Sequence, residues 1–132
     1  MLSSELGMAA GALLGWPDAP AIAAVDFHRL NRAKAFIEKN LTSRDLTPDT
    51  IARVAHVSRS TLYRLFKSSG GVSHYILQRR LRLASELLGD AAEHRQIGEL
   101  AFDLGFVSDA HFCRAFRQAF GAPPGAFRLG RS

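Results

Sequence analysis

Cysteine is almost absent from this chain, since Cys113 is its one thiol in 132 residues. A single thiol excludes an internal disulfide and a zinc site built on several cysteines, and it suits a reducing compartment such as the cytoplasm. Without a second cysteine nearby, a packing role for Cys113 is favoured over a redox or alkylation sensor, the alternative that its chemistry leaves open.

Long apolar runs are also missing. The run at residues 8–16 is too short to cross a bilayer, and it lacks both a preceding basic region and a small-residue cleavage pattern. We therefore expect neither export nor membrane anchoring, which agrees with a cytoplasmic protein.

The sequence lacks the common catalytic motifs. No HExxH, CxxC, GxSxG or P-loop pattern occurs. Four of the five histidines fall in separate predicted elements, namely His56, His74, His94 and His111. This scatter predicts no metal site, no cofactor and no enzyme activity.

Acidic residues are outnumbered by basic ones. The chain has 17 Lys and Arg against 12 Asp and Glu, a formal net charge of +5 and a pI near 10.1. The excess is concentrated after Arg53, and the 47% hydrophobic content is enough for one folded domain with a core. A basic folded domain favours a polyanionic partner, although charge alone is weak evidence for one.

The most informative stretch, residues 96–124, has two helix signatures around one tight turn. The first helix has apolar residues at helical spacing and ends at Gly105, and the second begins after Ser108, a good N-cap. Phe112, Phe116 and Phe120 recur every four residues and form one apolar face. This layout predicts a helix-turn-helix, whose second helix lies in a DNA major groove.

A second copy of this pattern lies fifty residues earlier. The pairs are Ser58 with Ser108, Leu62 with Phe112, Arg64 with Arg114, Phe66 with Phe116 and Lys67 with Arg117. The first turn has His56 where the second has Gly105. A non-glycine residue costs up to about 1 kcal/mol there if the turn is left-handed, so we expect the first unit to turn less tightly.

The remaining elements are also predicted to be helical. We expect an amphipathic helix from the N-cap Asp26 to about Asn40, and another capped by Thr47. A helix capped by Ser73 and running to about Leu88 would span about 24 Å and join the two units. Together with a short closing turn around Phe127, these elements predict an all-α fold of about seven helices.

The motif residues resemble the signature of the AraC/XylS family of bacterial transcription regulators. They read Ile97-x-Glu99-Leu100-Ala101-x-x-x-Gly105-Phe106, His111-Phe112-x-Arg114-x-Phe116-Arg117 and Phe120-Gly121-x-Pro123-Pro124. The resemblance implies a DNA-binding domain at residues 26–132, with helix-turn-helix units at about 47–69 and 96–120 and a linker helix at about 73–88. Residues 1–25 would be a linker or the remnant of an N-terminal effector or dimerisation domain, or alternatively an idle helix of a short regulator.

The resemblance also implies the partners. These are double-stranded DNA, RNA polymerase, and an effector small molecule that acts only through an N-terminal domain. The isolated domain is expected to be a monomer. A helical protein-interaction domain that does not touch nucleic acid is the alternative function.

Two sets of residues are candidates for DNA contact. Base contacts are predicted for Ser60, Tyr63, Arg64, Asp109, Ala110, His111 and Arg114. Phosphate contacts are predicted for Ser58, Arg59, Lys67, Ser108 and Arg117. The two arginines of the first set are the strongest candidates, because a guanidinium donates two hydrogen bonds to guanine O6 and N7.

Several of these candidates have alternatives. Asp109 would repel phosphate unless it accepts from cytosine N4 or caps its helix, and the cap role is favoured. His111 either donates to a phosphate or is a packed residue. Arg79, Arg80 and Arg82 on the linker helix either contact phosphates or form a solvated surface.

Overall fold

The computed structural model describes residues 19–130, and over this range it is entirely helical. The elements are α1 (Ala19–Lys39), α2 (Pro48–Ala55), α3 (Arg59–Leu65), a 3-10 turn (Lys67–Ser69), α4 (Val72–Leu88), α5 (Ile97–Asp103), α6 (Asp109–Phe120) and α7 (Pro124–Gly130). The seven α-helices confirm the predicted fold class. No helix in this part of the chain is long and apolar enough to cross a membrane.

Three of the predicted helix starts are confirmed by their caps. Thr47 and Thr50 form a reciprocal capping box before α2, with Pro48 as the first helical residue. Ser58 Oγ accepts from the Thr61 amide at 3.1 Å, and Ser108 Oγ accepts from the His111 amide at 3.1 Å. These hydroxyls satisfy amides that would otherwise lack a partner in the first turn.

Three other predicted caps are wrong. Asp26 lies inside α1, because the alanine-rich stretch before it favours helix and Pro20 falls in the first turn, where it is tolerated. Ser73 lies inside α4, which begins at Val72 after a positive-φ glycine and has no side-chain cap. Asp109 is the first residue of α6, because Ser108 already takes the cap position.

The two helix-turn-helix turns close in the same way. His56 has φ 58° and ψ 44°, and Gly105 has φ 86°, so both are left-handed. The amide of the next residue closes each turn at 3.0 Å, from Val57 to Ala52 O and from Phe106 to Ala101 O. The expectation of a looser first turn is therefore wrong, since closing the turn fixes the backbone of His56 despite its Cβ.

Two hydrophobic cores are built on the shared helix α4. Val72 and Ile76 belong to the first core, which α1, α2 and α3 complete. Leu81, Ala84 and Leu88 belong to the second, which is completed by α5 and α6. Leu62, Phe66, Phe106, Phe112 and Phe116 are buried in these cores, whereas Phe120, the third phenylalanine of the predicted apolar face of α6, is 38% exposed. Because one continuous helix enters both cores, it fixes where α3 and α6 stand.

Side chains also bridge the two units. Arg80 Nε donates to Leu41 O at 2.8 Å, and its Nη2 donates to Ser43 O at 3.1 Å. The Arg44 guanidinium stands 4.0 Å from the centre of the Phe102 ring. Burial lowers the pKa of the Arg80 guanidinium. These contacts tie the loop after α1 to the linker helix and to α5.

The closing helix α7 packs on the second unit as predicted. The ring of Phe127 meets Phe116 edge-on at 4.9 Å and lies 5.5 Å from Phe120. These aromatic contacts hold the end of α6 in place.

Candidate nucleic-acid interface

The second helix of each unit turns one face to its core and the other to solvent. Leu62 and Leu65 are the buried residues of α3, and Phe112 and Phe116 those of α6. The exposed residues of α3 include Arg59, Ser60, Tyr63 and Arg64, and those of α6 include Asp109, Ala110, Arg114 and Arg117. Most of the candidate DNA contacts therefore lie on two outward faces, as helical spacing requires.

Three of the candidate cations are unengaged in the described part of the chain. Lys67, Arg114 and Arg117 are exposed, and none of their side chains has a hydrogen bond or ion pair there. Lys67 is the first residue of the 3-10 turn after α3, whereas the two arginines lie one turn apart on α6. An exposed cation on a helix face can meet a phosphate without breaking an existing contact.

Arg64, in contrast, is paired. Its Nη1 donates to Asp26 Oδ2 at 2.6 Å, and its Nη2 donates to Asp26 Oδ1 at 3.2 Å. The hydrogen bonds from Arg64 lower the pKa of the Asp26 carboxyl, and Asp26 raises the pKa of Arg64. Arg29 Nη1 stands 3.8 Å from Asp26 Oδ1 on the same helix. The first unit thus presents a guanidinium that is already oriented.

Arg59 is also engaged. Its Nε stands 3.1 Å from Asp49 Oδ1, and its Nη2 donates to Tyr63 Oη at 3.3 Å. The hydrogen bond to Tyr63 and the charge of Asp49 raise the pKa of Arg59. Since these side chains are exposed, the contacts are weak enough for DNA to replace them.

The hydroxyls of Ser58 and Ser108 are already engaged within their own helix starts. Besides capping α3, Ser58 Oγ donates to Thr61 Oγ1 at 3.0 Å and lies 3.2 Å from Ser60 Oγ. Ser108 Oγ is likewise occupied by its cap. A phosphate at either helix start would therefore meet backbone amides of the first turn more readily than these hydroxyls.

The His111 ring faces partly inward, and Asp109, although exposed, lies close to another helix. The His111 ring is half-buried and lies 5.6 Å from that of Phe106, and its Nδ1 is buried with no hydrogen-bond partner in the described chain. Asp109 lies against Gly98, where an added Cβ would come within 2.5 Å of Oδ2. The His111 ring is thus packed in the free chain, and its contact with DNA stays a prediction.

Two residues that shape the interface were not identified as such in the sequence. Asp26 was interpreted as a cap, and no local pattern links it to Arg64, which is 38 residues away. Arg80 was grouped with solvated arginines, but its guanidinium is half-buried and bonds two carbonyl oxygens. Arg79 also has a partner, since its guanidinium pairs with Glu38.

Comparison with known proteins adds independent evidence. Residues 51–130 match the sequence model of a family described as a helix-turn-helix domain. Over 112 residues, or 82% of this chain, the sequence is 34% identical to the transcriptional activator NphR of a Rhodococcus species. It is also 36% identical over 96 residues, 70% of the chain, to the XylDLEGF operon transcriptional activator of Pseudomonas putida. The matched regions cover 33% and 30% of these two proteins, so the chain spans about a third of their length.

Solved structures of other proteins superpose on this chain. A transcriptional regulator of Chromobacterium violaceum with an AraC-type DNA-binding domain superposes with a TM-score of 0.71 at 34% identity, over 79% of this chain and 92% of that one. The DNA-binding domain of AdpA, solved with a target DNA, superposes with a TM-score of 0.66 at 24% identity, over 76% of this chain and 90% of that one. At this low identity, the similarity to AdpA concerns the fold alone.

Proposed function

The chain belongs to the AraC/XylS family of helix-turn-helix transcription regulators, and we propose that it places α3 and α6 in two successive major grooves of one DNA duplex. The observation that carries this proposal is the repeat itself: two capped helices, each with an outward arginine at the same position, stand on one shared helix.

The outward residues divide into two roles. Arg64 and Arg114 are the proposed base readers. The other candidate base-contact residues on the same helix faces would assist them. Lys67 and Arg117 are the proposed phosphate anchors, together with Arg59 and the two serine-capped helix starts. Anchors fix the position and affinity of the domain, whereas readers select the sequence.

The geometry predicts the form of the operator. Successive major grooves on one face of a duplex lie about 34 Å apart. The linker helix α4 has 17 residues and is therefore about 25 Å long, so either its tilt or DNA bending makes up the difference. One monomer would then recognise a bipartite site without two-fold symmetry.

The rest of the regulator is inferred from the family. We propose that residues 1–25, of which residues 19–25 form the start of α1, connect this domain to an effector or dimerisation domain, through which a small molecule acts. RNA polymerase is the proposed protein partner, which agrees with the activators among the relatives. The proposed site of action is the cytoplasm, where bacterial DNA is transcribed, and no catalytic reaction is assigned to the chain.

The decisive experiment is in vitro selection of bound DNA from a random pool, followed by affinity measurements on the selected site. Arg64→Ala and Arg114→Ala should each lose about 1–3 kcal/mol of binding free energy and relax one local position, the two positions being about ten base pairs apart. Equal losses on selected and random DNA would show that the two arginines are phosphate anchors. If no sequence is enriched and bulk DNA gives no salt-dependent gel shift, the protein-interaction alternative is correct.

A further inference from the structure

The carboxylate of Asp26 lies beneath the arginine that we assign to base reading. We propose that Asp26 is a positioning residue that sets the specificity of the first unit by holding Arg64 in the orientation that recognises guanine. This inference rests on the proposed function of Arg64 as a base reader. It concerns a residue on α1, outside both helix-turn-helix units.

The hydrogen-bond pattern leaves the recognition edge of Arg64 free. Asp26 is bound end-on, through one hydrogen of Nη1 and one of Nη2. The adjacent edge of the guanidinium carries the Nε hydrogen and the second Nη2 hydrogen, and Nε has no hydrogen bond in the described chain. A guanidinium has five N–H donors in a fixed plane, so one edge can hold a carboxylate while another binds guanine O6 and N7.

The relative exposure of the two side chains supports presentation of Arg64 to a ligand. The Arg64 side chain keeps 54% of its surface exposed, whereas Asp26 keeps 21%. The carboxylate is therefore the inner member of the pair and the guanidinium the outer one. A carboxylate placed to compete with DNA would instead cover the arginine from outside.

Positioning matters because arginine is flexible. An unpaired side chain of this length samples many rotamers and loses that freedom when it binds a base. The bidentate pair removes part of this freedom before DNA arrives, which is pre-organisation. An exposed ion pair of this kind contributes little to folding stability, so a role in recognition is the better explanation of its geometry.

The second unit provides an internal control. Arg114 occupies the equivalent position in the repeat, and it has no acidic partner among the described residues. The helix that precedes the second unit, α4, contains only one acid, Glu86, near its C-terminal end. A change at Asp26 should consequently affect one half of the bipartite site and leave the other unaffected.

The test is Asp26→Asn, which keeps the size of the side chain and removes its charge. Binding is measured on the selected site, on that site with the base read by Arg64 replaced, on the site with the base read by Arg114 replaced, and on random DNA. We expect discrimination at the Arg64 position to fall by about 3- to 10-fold and discrimination at the Arg114 position to stay unchanged. Binding to random DNA should be equal or tighter, because a negative charge near DNA is lost.

Two further variants separate positioning from a structural effect. Asp26→Glu keeps a carboxylate and should retain part of the discrimination. The double variant Asp26→Asn with Arg64→Ala should discriminate as Arg64→Ala does alone, because Asp26 acts only through that arginine. Circular dichroism melting of each variant shows whether the fold is intact.

The outcomes are distinguishable. If Asp26→Asn binds every DNA more tightly with discrimination intact, Asp26 is a competitor and the inference is wrong. If Arg64→Ala loses discrimination but Asp26→Asn does not, the inference fails while the proposed function stands. If Arg64→Ala keeps full discrimination, the assignment of Arg64 as a reader fails, and the role of Asp26 fails with it.

Discussion

His56 and Gly105 occupy the same position in the two helix-turn-helix turns, and both have a left-handed backbone. The amide that closes each turn bonds the equivalent alanine carbonyl at the same 3.0 Å. The second unit thus has glycine at this position, whereas in the first unit a residue with a Cβ adopts the same left-handed conformation. The two turns therefore differ in strain, although the same hydrogen bond closes them.

His56→Gly should relieve that strain. A non-glycine residue in the left-handed region costs up to about 1 kcal/mol, and the greater freedom of glycine in the unfolded chain offsets part of that gain. We expect a net stabilisation of about 0.5 kcal/mol, measured by urea unfolding. His56→Ala is the control, because it removes the exposed ring but keeps the Cβ; an equal gain in both variants would mean that backbone strain is not the cause.

Gly105→Ala should destabilise the second unit. A Cβ at this position would lie 3.0–3.2 Å from the Arg80 guanidinium, which bridges the two units. We expect a loss of at least about 1–2 kcal/mol in the free energy of unfolding. Gly121→Ala is the matched control, since Gly121 is also left-handed, at φ 80°, but a Cβ there meets nothing within 4 Å. Equal losses in the two variants would show that crowding of Arg80 costs nothing.

The local signals in the sequence were sufficient for most of the fold. Ser58, Thr47 and Ser108 each precede an apolar helical pattern, and the structure has a cap at each of them. Phe112 and Phe116 of α6 recur at the helical period, so their burial follows from spacing alone. The repeat of fifty residues then linked the two units without any structure.

Contacts between distant residues could not be predicted in the same way. The partner of Arg64 lies 38 residues earlier, and the carbonyl partners of Arg80 lie 37 and 39 residues earlier. Such pairs depend on how α1 crosses the other helices, which no period in the sequence encodes. The start of α1 was missed for a related reason, because Asp26 has the side chain of a good cap but is used for a tertiary contact.

Phe112→Ala should remove the centre of the second core. Phe112 is fully buried, and its ring lies 4.8 Å from Phe106 and 5.7 Å from Phe116. Its truncation should cost about 3–5 kcal/mol, a large part of the stability of a small domain. Val107→Ala, at a residue that is 87% exposed, should change stability by less than about 0.5 kcal/mol. A melting temperature equal to that of the parent chain in the Phe112 variant would contradict the packing.

Glu93 should make stability depend on pH in the acid range. Its carboxylate accepts from the Arg95 amide at 3.0 Å and from Arg95 Nε at 2.9 Å, which lowers its pKa from 4.5 to about 2. A depressed folded-state pKa stabilises the fold above the unfolded value, and this contribution is lost as the pH falls from about 4.5 to about 2.

Glu93→Gln should therefore show a shallower fall of melting temperature over that pH range than the parent chain. Glu99→Gln removes an exposed carboxylate from α5 and is the control for a general change of charge. Identical pH profiles for the parent and Glu93→Gln would rule out the contribution of this ion pair.

Lys67→Ala and Arg117→Ala should weaken binding without changing which sequence is preferred. Both side chains are exposed and unpaired in the described part of the chain, and they hold equivalent positions in the two units. A cation that neutralises one phosphate releases about one condensed counterion, so each variant should reduce the slope of log K against log salt concentration by about one. The measurement is binding to the selected site and to random DNA at several salt concentrations.

Lys39→Ala is the control, because it removes the same charge from the last turn of α1, outside the recognition helices. The salt slope of this variant should stay at the parent value. A loss confined to the selected site would identify Lys67 or Arg117 as a base reader, and an unchanged slope in both variants would mean that these faces of α3 and α6 do not meet the DNA backbone.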